Sequence, residues 1–220
     1  MHNAITETRP KIEAGSFYDR VASLYNLTFK FNGYGRSLEQ YLSAHPLPIA
    51  PGAKVLDAGC GTGLLTLALL KVVHVPIEIT AIDLSVTSIA TARRAVKEQA
   101  GRTQSVGFSQ ANILSLPFRD NTFNTIVTSG VLEYVPLDEG FSELARVLAP
   151  GGHLLHLPVR PSIPSRFLEL LFRFKAHPPR EVEENTSRHF QIISHHRFPR
   201  LHVIGWTKSA VVAQKAPLQD

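Results

Sequence analysis

The sequence predicts an α/β fold built around a doubly wound, mostly parallel sheet. Short apolar segments alternate along the chain with segments long enough for helices, and a turn with three glycines follows the first apolar segment of this series. Alternation of strands with helices of about ten or more residues is typical of βαβ units. Largely apolar strands are typical of a sheet that is covered on both faces. We therefore expect a Rossmann-like sheet of seven strands.

The central elements of this sheet follow one another in order. We predict five strands, at residues 54–58, 77–82, 105–109, 123–128 and 153–157. We predict three helices among them, at residues 64–73, 85–99 and 137–148. Pro150, Gly151 and Gly152 follow the last of these helices, where proline and glycine favour helix termination.

The two ends of the chain depart from this alternation. Before the first strand we predict two short helices that cap the ligand-binding end of the sheet, at residues 16–31 and 37–44. After Pro158 we predict, in order, an amphipathic helix at 165–174, a polar loop at 181–187, and strands near 196–204 and 208–214. No helix pattern separates the last two strands, so we expect them to pair antiparallel at the edge of the sheet.

The chain has the composition of a single globular domain. Its 220 residues are 44% hydrophobic and 19% charged, with a mean hydropathy of +0.00, and this length suits one α/β domain. We divide residues 1–220 into a helical cap (1–50), a cofactor-binding core (51–160), and a C-terminal helix with edge strands (161–220). The single cysteine, Cys60, excludes a disulfide framework within the chain and a zinc site built from cysteines.

No segment predicts membrane insertion. The N-terminal residues lack an apolar run, which argues against a secretory signal or an anchor. The longest apolar stretch, residues 64–73, is far shorter than the ~20 residues of a membrane-spanning helix. We therefore expect a cytoplasmic protein.

The positive charge of the chain is concentrated in its C-terminal third. The formal net charge is +5. Residues 1–150 contain 13 Lys and Arg and 13 Asp and Glu, whereas residues 151–220 contain 10 and 5, together with seven of the ten His. Such a basic end indicates an anionic substrate or an anionic surface. Because the rest of the fold is neutral, we expect no nucleic-acid partner.

The glycine-rich turn lies between the first core strand and the first core helix. Gly59, Gly61 and Gly63 alternate within it. Glycine permits a positive φ and a close backbone approach, and the helix N-terminus that follows offers free N–H groups to a ligand. Leu64 stands where a dinucleotide fingerprint requires glycine, and the turn lacks the Gly-Lys-Ser/Thr of a phosphate loop. The turn therefore predicts a ligand without a pyrophosphate.

The next strand ends in a second candidate for ligand binding, Asp83. A carboxylate at this position can accept hydrogen bonds from the hydroxyls of a ribose. A glycine-rich turn alone is also compatible with a plain strand-to-helix connection, but Asp83 in register with the turn favours a nucleoside. We expect Asp57, inside the same motif, to order the loop and to reach the charged end of the ligand.

Five segments in this order resemble the motifs of class I S-adenosylmethionine-dependent methyltransferases, over roughly residues 16–160. The glycine motif corresponds to residues 55–63, and the acidic ribose-binding position to residues 82–84. The adenine motif corresponds to residues 110–113, with Asn112 in place of the commoner aspartate. The L-P-F motif before the fourth strand and the R-x-L-x-P-G-G motif after the last core helix correspond to residues 116–123 and 144–152.

This resemblance implies S-adenosylmethionine as the cofactor and S-adenosylhomocysteine as its product. The expected cofactor contacts are the residues at the matching positions: Tyr25, Asp57, Gly59, Cys60, Gly61, Thr62, Gly63, Asp83, Leu84, Asn112, Ile113, Ser129 and Gly130. Asn112 keeps an oxygen that can accept a hydrogen bond from the adenine amino group. Cys60 is a small residue within the turn, and we expect it to pack there.

The N-terminal part of the sequence gives information about the molecule that accepts the methyl group. Residues 17–26 and 33–36 are similar to the opening of ubiquinone/menaquinone biosynthesis methyltransferases, and bacterial phosphatidylethanolamine N-methyltransferases open in a similar way. These resemblances imply a small or lipid-like acceptor, either a quinone precursor or a phospholipid headgroup. Methyl transfer from a sulfonium is an in-line displacement. Alignment of the two reactants can lower the activation barrier of such a step by about 7–11 kcal/mol. An acid or base is therefore not indispensable.

No catalytic residue follows from the sequence alone. A base is useful where a phenol or an acidic carbon is methylated, and the candidates are Tyr18, Tyr134 and a C-terminal histidine, while Tyr25 is more consistent with a cofactor contact. We expect Glu133 and Tyr134, which follow the fourth strand, to face the substrate. The adjacent His195 and His196 lack the spacing of a helical metal pair, so we expect no metal site.

Other functions are also compatible with the chain. One is a noncatalytic S-adenosylmethionine-binding module, and another is a methyltransferase that acts on nucleic acid or protein. The N-P-P-Y/F segment of amino-directed base methylation is missing after the fourth strand, where residues 128–131 stand instead. Phe167, Phe172 and Phe174 lie beside basic residues in the predicted helix 165–174. They raise the further hypothesis of a substrate tunnel or of a peripheral membrane contact.

Overall fold

The structure is a computed structural model that describes residues 33–98, 104–162, 165–166, 169–170, 173–198 and 207–217. Its strands are β1 (Ala53–Ala58), β2 (Ile77–Asp83), β3 (Ser105–Gln110), β4 (Phe123–Ser129), β5 (Leu148–Leu157), β6 (Gln191–Arg197) and β7 (Ser209–Gln214). Its helices are α1 (Tyr34–Ala44), α2 (Leu64–Val72), α3 (Val86–Lys97), α4 (Leu137–Val147) and α5 (Pro179–His189), and a 3₁₀ turn spans Leu132–Tyr134. The helix predicted at 16–31 lies outside the described residues, as do parts of the helix predicted at 165–174 and of the strand predicted near 196–204.

The seven strands form one sheet in the order β3-β2-β1-β4-β5-β7-β6. The first five strands pair parallel, with β1 between β2 and β4. Strand β7 pairs antiparallel with both β5 and β6, which places the antiparallel pair at one edge. This topology confirms the predicted Rossmann-like, doubly wound fold. The strand order reverses at β1 and β4, and ligands of such sheets bind outside the carboxyl ends of the strands at that point.

Helices cover the sheet on both faces, and successive strand residues belong to two apolar clusters. Val55 and Val127 pack with α1 and α2 on one face, whereas Leu56 and Ile126 pack with α4 on the other. All four side chains are fully buried. Burial of one such side chain contributes about 1.5–3 kcal/mol, which explains why these strands are apolar at consecutive positions. The described helices include none that is long and apolar enough to cross a membrane.

The N-terminal helix α1 begins at Tyr34, three residues before its predicted start at Ser37. Gly33 is its N-cap, with a φ of 75°. The buried residues of α1 include Leu38 and Tyr41, which lie on one face, and the helix packs alongside α2. Its first turn therefore approaches the carboxyl end of the sheet, while the rest of the helix covers one face of it.

The prediction of a polar loop at residues 181–187 is wrong, because this segment belongs to α5. Pro179 fits the first helical turn, where its missing N–H is not needed. Arg188 and His189 lie in the last turn, where positive charge is favourable. Only Val182 and Thr186, one turn apart, are buried within the helix. A single apolar residue gives no amphipathic pattern, so periodicity does not reveal this helix.

Two strands begin earlier than predicted. Strand β6 starts at Gln191 rather than near His196, and β5 starts at Leu148 rather than at His153. The segment 150–152 is therefore part of β5 and not a separate turn. Tertiary pairing is the reason, since the N–H of Gly151 donates to the carbonyl of Lys215 and the N–H of Lys215 donates to the carbonyl of Gly152.

Gly63, the N-cap of α2, sets the distance between α2 and α3. Its φ is 87°, and a Cβ atom at this position would lie 3.0 Å from Ala92 Cβ and 3.2 Å from Ala92 Cα. Gly52 has a similar φ of 79°, but no atom lies within 4 Å of its Cβ position. Alanine at either position suffers the strain of a positive φ, and only alanine at position 63 also collides with a neighbouring helix.

We expect Gly63→Ala to lower the free energy of unfolding by about 2–4 kcal/mol, and Gly52→Ala by about 1 kcal/mol. Urea unfolding followed by circular dichroism measures both losses, and Gly52→Ala is the control for backbone strain. Equal losses in the two variants would show that α3 yields to the added methyl group and that the close approach is no constraint.

Candidate functional site

A pocket opens at the carboxyl ends of β1, β2 and β4, where the strand order reverses. Nine of the expected cofactor contacts line its wall: Gly59, Gly61, Thr62, Asp83, Leu84, Asn112, Ile113, Ser129 and Gly130. Tyr134, a candidate base, lines it as well. The fold thus brings together residues from three of the sequence motifs and from the segment that follows β4.

The other expected site residues lie elsewhere. Asp57, Cys60 and Gly63 belong to the glycine motif but do not line the pocket, while Tyr18 and Tyr25 lie outside the described residues. Cys60 is 6% exposed, and burial raises the pKa of its thiol. An inert, buried thiol suits the packing role expected for it.

Six further residues line the pocket: Ile82, Ser85, Ser88, Ala111, Val131 and Val135. All except Ser88 are adjacent in sequence to an expected site residue, so the expected residues indicate where these five lie. Ser88 is held next to the pocket by helix capping. Its N–H donates to the Oγ of Ser85, the N-cap of α3, at 3.1 Å. The signal for this capping is Ser85, a serine directly before the helix.

Asp83 ties the end of β2 to the glycine turn. Its Oδ2 accepts a hydrogen bond from the Gly61 N–H at 2.8 Å, and its Oδ1 accepts one from the Ser85 N–H at 2.9 Å. Burial raises the pKa of Asp83, and these backbone hydrogen bonds oppose the rise. Each carboxylate oxygen retains a lone pair, so the group suits a ligand that presents two neighbouring hydroxyls.

Asp57 is buried beneath the turn, with 1% of its surface exposed. Its Oδ2 accepts a hydrogen bond from Thr66 Oγ1 at 2.5 Å, and its Oδ1 has no partner among the described residues. Burial raises the pKa of Asp57 to about 7, the bond from Thr66 opposes this rise, and the charge of Asp83 adds to it. Asp57 thus joins the end of β1 to the first turn of α2 through Thr66.

Another part of the wall is apolar. Leu84 is 42% exposed and lies on the wall with Ile113, and an exposed leucine in a concave site gives a flat ring a surface to pack on. Asn112 Oδ1 accepts a hydrogen bond from the Leu114 N–H at 3.0 Å. One lone pair of this oxygen is therefore used to stabilise the local turn. Its second lone pair can accept a hydrogen bond from an adenine amino group.

Arg146 fixes the loop that follows this wall. Its guanidinium donates to the carbonyl oxygens of Leu116 and Phe118 at 3.0 and 2.8 Å. It also forms ion pairs with Glu143 and Asp120, at 2.8 and 2.7 Å, and these raise its pKa. The arginine of the R-x-L-x-P-G-G motif therefore holds the loop 116–120 against α4.

At the end of β4 the wall includes a contact from outside the expected set. The Tyr34 hydroxyl lies 2.7 Å from Ser129 Oγ, and Tyr34 is 4% exposed. Tyr34 lies in the segment 33–36 that resembles the methyltransferase opening, but the sequence does not single it out as a site residue. The available signal is its position in the first turn of a helix that was expected at the ligand end of the sheet.

Glu133 does not line the pocket, contrary to expectation, and is 4% exposed. Its Oε1 accepts a hydrogen bond from the Val159 N–H at 2.5 Å, and its Oε2 has no partner in the described part of the chain. Lys208, 2% exposed, donates to the carbonyl of Leu157 at 3.2 Å. Burial lowers the pKa of Lys208, and the charge of Glu133 opposes this. Glu133 and Lys208 are thus both buried, and neither lines the pocket.

The histidines of the edge strand have separate partners. His195 Nε2 lies 3.6 Å from Glu183 Oε1, whereas His196 Nδ1 lies 3.1 Å from the Tyr41 hydroxyl. His196 also stacks on His45, with ring centres 3.9 Å apart. Among the described residues no group of three or more His, Cys, Asp or Glu could hold a metal ion.

The groups around the pocket fit S-adenosylmethionine. The apolar surface of Leu84 and Ile113 suits the adenine ring, and the Asp83 carboxylate suits the ribose hydroxyls. No atom lies within 4 Å of the Cβ position of Gly61, which leaves room for a ligand beside the turn. The Asp83 carboxylate on the wall and the buried Asp57 carboxylate beneath the turn suit the positive charge of a sulfonium.

Asp57 predicts a pH dependence of stability. Its pKa of about 7 in the folded protein lies above the ordinary value of 3.8. The stabilisation from this tighter proton binding is therefore fully present below pH ~3.8 and is lost as the pH rises through about 7. Asp57→Asn has no carboxyl group to titrate. We expect the difference in free energy of unfolding between this variant and the wild type to shift in favour of the variant by a few kcal/mol between pH 4 and pH 8, at about 1.4 kcal/mol per pKa unit. Urea unfolding at several pH values measures the difference, and parallel pH profiles would contradict it.

Comparison with known proteins agrees with this site. A family model described as a methyltransferase domain matches residues 55–152. A demethylmenaquinone methyltransferase from Lactiplantibacillus plantarum is 31% identical over 187 residues, which cover 79% of this chain and 76% of the relative. A demethylmenaquinone methyltransferase from Corynebacterium urealyticum is 32% identical over 179 residues, which cover 79% of this chain and 72% of the relative.

Solved structures share the fold. Geranyl diphosphate C-methyltransferase from Streptomyces coelicolor, in complex with S-adenosyl-L-homocysteine, superposes with a TM-score of 0.68 at 17% identity, over 82% of this chain and 79% of the other. At this identity the likeness shows the fold alone, whereas the sequence relatives show the family. The chain belongs to the class I S-adenosylmethionine-dependent methyltransferases.

Proposed function

We propose that S-adenosylmethionine lies with its adenine against Leu84 and Ile113, its ribose hydroxyls on Asp83, and its methionine end beside Ser129 and Gly130. The order of groups along the wall supports this orientation, because Asp83 and Leu84 lie at the end of β2, Ile113 follows β3, and Ser129 and Gly130 lie at the end of β4. Bound S-adenosylmethionine supplies an electrophilic methyl group on a sulfonium, and its displacement leaves a neutral thioether.

We infer that the acceptor is the reduced form of a quinone precursor, methylated on a ring carbon. The observation that carries this inference is the alignment of demethylmenaquinone methyltransferases over 79% of the chain. A hydroquinone carbon beside a phenolic oxygen is nucleophilic, whereas the oxidised quinone is electron-poor. The ring carbon forms a bond to the methyl group as the carbon–sulfur bond breaks, and sulfur keeps that electron pair. The ring carbon then loses its proton to solvent water, which restores the aromatic ring.

The residues of the chain contribute mainly alignment. Val131, Tyr134 and Val135 form the wall next to Ser129, and the ring of Phe174 lies 5.9 Å from that of Tyr134. Such side chains suit an aromatic acceptor. Positioning of the two reactants can lower the activation barrier by about 7–11 kcal/mol, so a dedicated base is not required. Tyr134 is the described candidate for a hydrogen bond to the phenolic oxygen.

One assay tests the acceptor. The protein is given methyl-labelled S-adenosylmethionine and phosphatidylethanolamine vesicles that contain chemically reduced demethylmenaquinone. We expect label in the extracted quinone, and none when the quinone is left oxidised. Label in the phospholipid would favour a headgroup methyltransferase instead. Binding of S-adenosylhomocysteine without label in either lipid would favour a noncatalytic binding module. Sedimentation with the same vesicles tests the hypothesis of peripheral membrane contact.

Asp83→Asn tests the ribose contact. An amide places an NH₂ group against the N–H donor of Gly61 or of Ser85 and removes one acceptor for the ligand. We expect the affinity for S-adenosylhomocysteine, measured by calorimetric titration, to fall about ten-fold or more, as for the loss of a hydrogen bond to a charged group. Glu78→Gln, at an exposed position of the same strand, is the control and should bind like the wild type. Unchanged binding by Asp83→Asn would exclude this ribose contact.

A further inference from the structure

The first turn of α1 makes a polar contact with the pocket wall that the five cofactor motifs do not mark. The hydroxyl of Tyr34 lies 2.7 Å from Ser129 Oγ, and the two residues are 95 positions apart in the chain. Ser129 itself lines the pocket. A helix that covers one face of the sheet therefore reaches the ligand site through one side chain.

Tyr34 is held in place from several sides. Its side chain is 4% exposed, and Lys208 Nζ lies 5.9 Å from the centre of its ring, within the range of a cation–π contact. Burial is the main cause that raises the pKa of Tyr34, the bond with Ser129 opposes this, and the charges of Glu133 and Asp57 add to it. The hydroxyl therefore keeps its proton at neutral pH and is a fixed hydrogen-bonding group rather than a base.

We propose that Tyr34 is a positioning residue for the methyl donor, because its hydroxyl fixes the Ser129 side chain at the methionine end of the pocket. This inference rests on the proposed function, in which Ser129 lies beside that end of S-adenosylmethionine. A side chain that is already fixed loses little rotamer freedom when the ligand binds. Tyr34 acts through Ser129 and does not contact the reacting atoms.

Tyr34→Phe removes the hydroxyl and keeps the ring. We expect the dissociation constant of S-adenosylhomocysteine, measured by calorimetric titration, to rise about five-fold, as for the loss of one hydrogen bond. Adenosine lacks the methionine part, so its dissociation constant is expected to stay unchanged within the error of the titration. Weakening of both ligands to the same extent, or of neither, would overturn the proposal.

Tyr41→Phe is the matched control. Tyr41 lies two turns further along α1, is 2% exposed, and has its hydroxyl 3.1 Å from His196 Nδ1, away from the pocket wall. We expect both variants to lose similar thermal stability, and only Tyr34→Phe to weaken S-adenosylhomocysteine. If Tyr41→Phe weakens this ligand equally, the effect of Tyr34 is a general loss of stability and the proposal fails.

Ser129→Ala shows whether Tyr34 acts through Ser129. We expect Tyr34→Phe to weaken S-adenosylhomocysteine in the wild-type background and to have no further effect when Ser129→Ala is present. Additive losses would show that Tyr34 acts by another route. Absence of S-adenosylhomocysteine binding by the unmodified protein would instead refute the proposed function, so the two failures are distinguishable.

Discussion

Three consecutive N–H groups hold the glycine turn against the end of β2. Those of Gly59 and Cys60 both donate to the carbonyl of Ile82, at 2.9 and 2.7 Å, and that of Gly61 donates to the carboxylate of Asp83 at 2.8 Å. The positive φ angles of the two glycines, 75° and 52°, allow the chain to follow this path. The rest of the site depends on these bonds, because they fix the proposed ribose carboxylate, the turn and the start of α2 relative to one another.

The same hydrogen bonds explain why the turn does not suit a phosphate. In phosphate-binding loops the free N–H groups point at the anion, whereas here the end of β2 accepts them. Asp57 is buried beneath the turn and Asp83 lines the pocket, and no basic side chain in the described part of the chain forms an ion pair with either. An anion would meet two carboxylates, while a sulfonium would lower the raised pKa of Asp57 and be stabilised by its ionised form. The site therefore selects a nucleoside that carries positive charge.

Local signals account for what the sequence predicts well. Each core helix lies between two strands, and the glycine turn, Asp83 and the residues that follow β3 and β4 mark the pocket wall because strand ends of a parallel sheet meet at one edge. Tertiary contacts account for what it does not predict. Helix α5 buries only Val182 and Thr186 and packs on α4, so its stability comes from a distant partner. The contact between Tyr34 and Ser129 joins residues 95 positions apart, and no local pattern records it.

The basic charge of the C-terminal third has local partners in the fold. Acidic residues of α4 and α5 pair with nearby basic groups: Glu181 with His177, Glu183 with His195, Glu184 with Arg180, and Asp138 with Arg188 and His189. Exposed pairs of this kind contribute only about 0–1 kcal/mol each, and basic residues still exceed acidic ones in residues 151–220, by 10 to 5. The pocket gives a more direct indication of the acceptor. Beside Ser129 its wall consists of Val131, Tyr134 and Val135, and an apolar, partly aromatic surface favours the ring of a hydroquinone over the phosphate of a lipid headgroup.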